Sequence, residues 1–380
     1  MSSTKMEDQP ASGTATASEQ PLASCNDRAW LSGVAFPIDG LESLLLSFIA
    51  VSAAALLFGI FLALHGHDPT AVYRTLYLGA FGTRFSLETT LTQAAPLLLT
   101  ALCTLIPARV GLLVIGAEGA VVLGGIGAVL AGVALGSAPA VVGTVLTIAA
   151  GALAGGLWIG AAGALKHFRG VNETISTLLL NYIAIALLNH LVSGPIRDFS
   201  QTLKAQSWSI PKSFMIGNIP GWSVHWGLVI GLVVCFALHL LLRHTTVGFG
   251  MDVLGGNRRA AQMIGLPIGR LILLACFLGG SAAGLAGAIE IVAVHGAASE
   301  SLVVGLGYTG ILVAFLARQN ALVVILVALL LGGISASGGL LQRRFETPHA
   351  ATTVLQGLIF LCVLASGAFA GRLLPRSRAS

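Results

Sequence analysis

Long apolar runs, each closed by a short polar or charged break, set the pattern of this chain. A helix of about 20 mostly apolar residues crosses the hydrocarbon layer. Ten runs of that order stand out, at roughly 41–64, 87–107, 111–135, 139–164, 173–192, 225–242, 270–292, 303–317, 321–335 and 351–371. They are continuous and lack the period of two that a membrane β-barrel requires. The pattern predicts an all-α, polytopic transmembrane helical bundle of about ten spans, with nine or eleven as alternatives. The eighth and ninth runs are short and rich in glycine, so one of them is expected to be broken or re-entrant, which is tolerated only where protein or water covers the backbone. Residues 1–40, rich in Ser, Thr, Ala and Gln, have no apolar core and are expected to be a disordered cytoplasmic tail. They also lack the apolar stretch and cleavage site of a secretory signal. Residues 41–371 then form the membrane domain and 372–380 a basic cytoplasmic tail.

Composition agrees with the pattern. Of 380 residues, 56% are hydrophobic and only 9% charged, against about 25% charged in soluble domains, and mean hydropathy is +0.90. The 48 glycines point to helices packed backbone to backbone, because small residues organise a bundle once lipid removes the hydrophobic drive. Most of the 20 lysines and arginines fall on one side if both termini are cytoplasmic, as the retention of basic residues inside requires. Arg343 and Arg344 sit on the other side and leave the last hairpin open. Membrane asymmetry accounts for the basic pI of about 9.2, and no nucleic-acid partner is needed. Lipid is the expected surrounding. Two connecting loops are long: an outer one, 193–224, suited to receiving a soluble partner, and an inner one, 243–270, dense in charge.

Chemistry is sparse. Lys5, Lys166, Lys204 and Lys212 are the lysines, and none follows the glycine-rich pattern of a phosphate-binding loop; no catalytic residue is assigned. His65 and His67 stand without a third ligand, and no zinc spacing occurs, so no metal site is expected. Ionisable groups inside spans are costly and usually face a bundle interior or cavity. Glu118, in VIGAEG, and Glu290, in GLAGAIEIVAVHG, are the clear cases. Each reads as a carboxyl hydrogen-bonded between helices, as an acceptor lining a solute pathway, or as a proton carrier. Glu173, Thr177 and Asn181 recur every four residues and share a helix face; that stripe bonds a neighbouring helix or lines a wet channel. In the inner loop, Asn257 can cap a short helix that Gly265 and Pro267 stop. A compact projecting helix suits docking into a groove on a soluble partner.

Together these segments resemble a known family. VIGAEG at 114–119, VNETISTLLLNYIA at 171–184, GGNRRAAQMIGL at 255–266, GLAGAIEIVAVHG at 284–296, GYTGILVAFLARQNALVVILVALLLGG at 307–333 and LQGLIFLCVLAS at 355–366 are similar to the permease subunits of bacterial ATP-binding-cassette importers. The branch is that of ribose and nucleosides, related to branched-chain amino acid permeases. The resemblance covers about residues 40–370 and implies a nucleoside-like cargo, with a simple sugar such as ribose or galactose as the alternative. It implies a membrane subunit that is not itself an enzyme, in the cytoplasmic (inner) membrane. The implied partners are two ATPase subunits that bind ATP and Mg, a second permease and an extracytoplasmic substrate-binding protein. Gly256, Asn257, Arg258, Ala260, Ala261 and Gly265 correspond to the segment that couples to the ATPase; Glu118, Asn181 and Glu290 are candidates for the substrate pathway. The family often has an asparagine before GAEG and an aspartate after the later Gly-Tyr pair, where this chain has Val114-Ile115 and Thr309. A proton-coupled secondary transporter, with Glu118 or Glu290 titrating, is the rival of another class.

Overall fold

The computed structural model describes residues 40–200, 205–318, 320–345 and 350–373. The expected N-terminal tail up to residue 39, Lys204 of the outer loop and the basic end beyond 373 lie outside the described residues. Helices carry the fold: α1 (Gly40–Leu64), α2 (Pro69–Phe81), α3 (Arg84–Arg109), α4 (Ala117–Ala134), α5 (Ala140–Arg169), α6 (Glu173–Ser193), α7 (Gly227–His244), α8 (Thr246–Gly256), α9 (Arg258–Met263), α10 (Ile268–Ile289), α11 (Leu306–Leu316), α12 (Ala321–Phe345) and α13 (Ala350–Leu373). Among the described residues there is no strand, only isolated bridges such as Arg197 with Ser207. Among the described residues, seven helices are long and apolar enough to cross a membrane, and shorter apolar helices lie at Phe48–Leu64, Glu300–Leu316 and Ala350–Ser366.

Local chemistry fixes several ends. Asp68 accepts from Thr70 N at 2.9 Å and Pro69 opens α2; a proline is free there because its missing N–H has no partner in the first turn. Asn172 starts α6 by accepting from Thr174 N and Ile175 N. Gly170, at φ +68°, closes α5, a left-handed stop that glycine adopts without steric cost.

α3, α4 and α10 are the buried centre; α5 packs along α4 and α10, while α12 covers α3 and α2 and α13 lies against α1. Contact at the centre is backbone to backbone. A Cβ on Gly284 would stand 2.4 Å from Gly151 O, and one on Gly287 would stand 1.9 Å from Val121 O. Outward faces are apolar instead of polar: Val141, Leu153 and Leu157 on α5 and Ile175, Leu179 and Ile183 on α6 are exposed. That inversion is what a lipid-facing surface requires.

Every apolar run predicted from the sequence contains a helix, with informative differences. The run at 111–135 starts its helix only at Ala117, because 110–116 is held open by side chains from elsewhere. The run at 303–317 yields α11, 11 residues long, or about 16 Å at 1.5 Å per residue, half the hydrocarbon thickness. The neighbouring 321–335 run is not short: α12 continues through Arg343 and Arg344 to Phe345. Helix α2 was not expected, since Tyr73, Arg74 and Thr75 interrupt its hydropathy. The inner loop holds two helices, α8 and α9, not one.

Candidate functional site

Two interrupted helices meet near the middle of the bundle. An α-helix start leaves its first N–H groups without intrahelical partners, and inside an apolar bundle each must be satisfied by protein. α4 begins after the irregular 110–116 stretch, and the polar stripe of α6 serves that break. Thr174 Oγ1 donates to Leu113 O at 3.2 Å, Thr177 Oγ1 accepts from Ile115 N at 3.2 Å, and Asn181 Oδ1 accepts from Gly119 N. From α3, Thr104 Oγ1 donates to Val114 O at 3.3 Å.

Helix α11 is served from the other side. Gly305, at φ +83°, turns the chain into it. Glu118, fully buried, accepts from Gly305 N at 2.8 Å through Oε1 and from Gly307 N at 2.5 Å through Oε2. Gly307 lies so close that a Cβ there would stand 2.1 Å from Glu118 N. The carboxyl in the first turn of α4 therefore closes the start of α11, placed where a helix favours negative charge. Asn181, also buried, uses its second polar group to donate from Nδ2 to the Tyr308 hydroxyl at 3.0 Å. Tyr308 is 43% exposed, so a hydrogen-bonded line runs from the buried junction to an open surface. Of the residues singled out in the sequence, Glu118, Thr177 and Asn181 come together here. Tyr308 was not singled out, because nothing along the chain connects a hydroxyl at 308 to an amide at 181.

Glu290 lies elsewhere, on a wide π turn, Glu290–His295, that continues α10; such turns recur at functional positions. Its Oε2 is 3.6 Å from His295 Nε2. The outer loop is clasped to this turn by backbone bonds: Ile216 N donates to Val292 O at 2.8 Å and Ile210 N to Gly296 O at 2.9 Å. Phe214, fully buried, anchors the same loop by filling the space over Gly143. Ser299 and Ser301 hydroxyls bond each other at 2.7 Å.

The inner loop forms a third constellation. Asn257 Oδ1 accepts from Arg259 N at 2.9 Å and Ala260 N at 3.2 Å and starts α9. Ala261 is buried against the bundle, Arg258 and Arg259 face outward, and Met263 and Ile264 are 82% and 61% exposed. Gly265, at φ +74°, ends the turn with open space around it. Before it, α8 is fixed under α3: Arg109 Nη1 pairs with Asp252 Oδ1 at 3.0 Å, and Gly255 abuts Arg109 O. Nothing along the chain announces that ion pair, which joins residues 143 positions apart.

Comparison with known proteins places these features. Residues 86–364 match the model of a family described as branched-chain amino acid transport system / permease component. A glucose ABC transporter permease of Haloferax volcanii is 30% identical over 84% of this chain and 87% of its own length. A guanosine ABC transporter permease of Bacillus subtilis is 30% identical over 86% of this chain and 94% of its own. A nucleoside ABC transporter permease of Lactococcus lactis is 24% identical over 84% and 90%.

Proposed function

We propose that this chain, which belongs to the branched-chain amino acid transport system permease family, carries a nucleoside across the cytoplasmic membrane as the permease subunit of an ATP-binding-cassette importer. The observation that carries the reading is the likeness of nearly the whole chain to a guanosine permease, joined to a capped inner helix with an exposed apolar tip. In this reading the bundle crosses the membrane about ten times, the seven long helices being supplemented by the three shorter apolar ones, with both termini cytoplasmic. ATP and Mg are bound by separate ATPase subunits, a second permease completes the pathway, and an extracytoplasmic binding protein delivers cargo to the outer loop.

The residues take distinct parts. Asn257 holds α9, and Gly256, Arg258, Ala260, Ala261 and Gly265 shape the surface that a motor grips. Tyr308 and Glu290 line the path, with Glu118 and Asn181 holding the half-helices that frame it. No covalent change occurs to the cargo. ATP binding shifts the balance between outward-open and inward-open bundles only by its differential effect on the two.

A second reading, a simple-sugar cargo, has its own support in the equally similar glucose permease. Proteoliposomes holding the permeases, the ATPases and the binding protein decide between them. Saturable uptake of guanosine that requires both ATP and the binding protein is expected, with ribose and galactose excluded. Uptake that collapses with a protonophore while ATP is clamped would instead establish a proton-coupled carrier.

A further inference from the structure

We propose that the groove between α5 and α10 holds an acyl chain of an anionic phospholipid whose phosphate is bound by Arg270. The two helices run antiparallel in close contact on their buried side, with Gly269 beside His167 at one end and Gly280 against Gly155 further along. On the outward side they part. Gly160, Ala161 and Ala164 of α5, spaced along one helix face, are too small to fill the gap and form a floor. Leu274 and Phe277 of α10 stand as its wall, and the open groove between the helices offers about 570 Å³. A Cβ on Gly160 would meet nothing within 4 Å, so the opening reaches the backbone.

One end of this apolar trough is charged. Arg270 lies one turn below Leu274 on the same face of α10 and lines the groove. It is exposed and makes no ion pair among the described residues. The adjacent last turn of α5 carries Lys166, His167 and Arg169; Lys166 is engaged by Glu173 at 2.8 Å, which leaves Arg169 exposed. A basic mouth at the membrane surface above an apolar slot between spans matches a phosphate joined to a hydrocarbon tail. Retention of basic residues on the cytoplasmic side accounts for charge in the loop, but not for a cation placed at the head of a trough. A headgroup of net negative charge is favoured over a zwitterionic one, whose own ammonium would confront Arg270 and Arg169, the nearby carboxylate of Glu173 being committed to Lys166.

The test uses the assembled transporter in nanodiscs of phosphatidylcholine with or without dioleoylphosphatidylglycerol, read by native mass spectrometry after mild detergent transfer. The wild type is expected to retain phosphatidylglycerol in preference to phosphatidylcholine. Arg270→Gln should weaken that retention about fivefold, the scale of one arginine at an anionic surface, and Arg270→Lys should restore most of it. Gly160→Leu, which fills the slot without meeting backbone, should expel both lipid classes. Equal retention of the two lipids by the wild type, or retention unchanged in both Arg270→Gln and Gly160→Leu, would overturn the assignment. So would loss of the paired permease in Gly160→Leu with lipid retained, which would make the groove a contact between subunits.

Discussion

Glu118 shows how much one side chain settles when it lies between two helix starts. Its two oxygens accept from Gly305 N and Gly307 N, so Glu118→Ala leaves two buried donors without partners, at about 1–3 kcal/mol each. The thermal midpoint of the purified protein should fall clearly, and Glu118→Gln, which keeps one acceptor, should fall less; equal midpoints for wild type and alanine variant would remove Glu118 from this role. His225 makes the second residue-scale prediction. It sits buried in the loop before α7 with neither ring nitrogen bonded, and burial pushes its pKa below the ordinary 6.5. Well above the ordinary value the ring is neutral in both states and contributes no pH dependence. As pH falls below that value the unfolded chain takes up a proton that the folded one refuses, so stability is lost until the folded ring also protonates. The midpoint should therefore decline on acidification, and His225→Phe should flatten the decline. An unchanged slope would show that other groups carry it.

At the scale of elements, the inner turn is the place to separate insertion from coupling. Gly265 adopts a left-handed conformation with open space around it, so Gly265→Leu meets backbone strain of about 1–2 kcal/mol without a clash. Membrane insertion should persist while uptake per ATP hydrolysed drops severalfold; an unaltered ratio would remove α9 from the coupling surface. The apolar spans were legible because hydropathy alone decides them, and α9 was legible because Asn257 and Gly265 punctuate it. The break at 110–116 was not. GLLVIG is as apolar as any helix here, and what opens it is a set of hydroxyls and an amide on α6, reached only after the chain has folded back. The stripe of Glu173, Thr177 and Asn181, spaced every four residues, could be read as polar glue, but not which backbone it would bind. Helix α2 escaped notice because it gains its place by packing on α12, through Gly79 against Ser337, not by its own hydropathy.

Across the whole molecule, the centre depends on backbone contact among α4, α5 and α10. Gly284→Val would press on Gly151 O and Gly155 Cα, at 2.4 and 2.9 Å from even a first carbon. Such overpacking costs about 1–3 kcal/mol or more, and no side chain there can yield. Folded yield should collapse, as gel filtration of the solubilised protein would show, whereas Gly160→Ala on the open face should be neutral. The molecule carries no phosphate-binding loop in its sequence and behaves in this account as a gate moved by others. Alone in a liposome, it should equilibrate cargo at most, and concentration against a gradient by the lone chain would refute the account.

The starts of α4 and α11, both satisfied from within the protein, have a consequence for selection. Free helix starts attract anions, and broken helices in transporters often aim theirs at a charged cargo. Here the start of α11 is already answered from within by Glu118 and that of α4 by Thr177 and Asn181, so a phosphorylated or carboxylated solute finds its docking amides taken and an acidic group in its way. The passage is thereby tuned to electrically neutral molecules: a nucleoside should pass where its monophosphate is refused, even when both are offered at the same concentration.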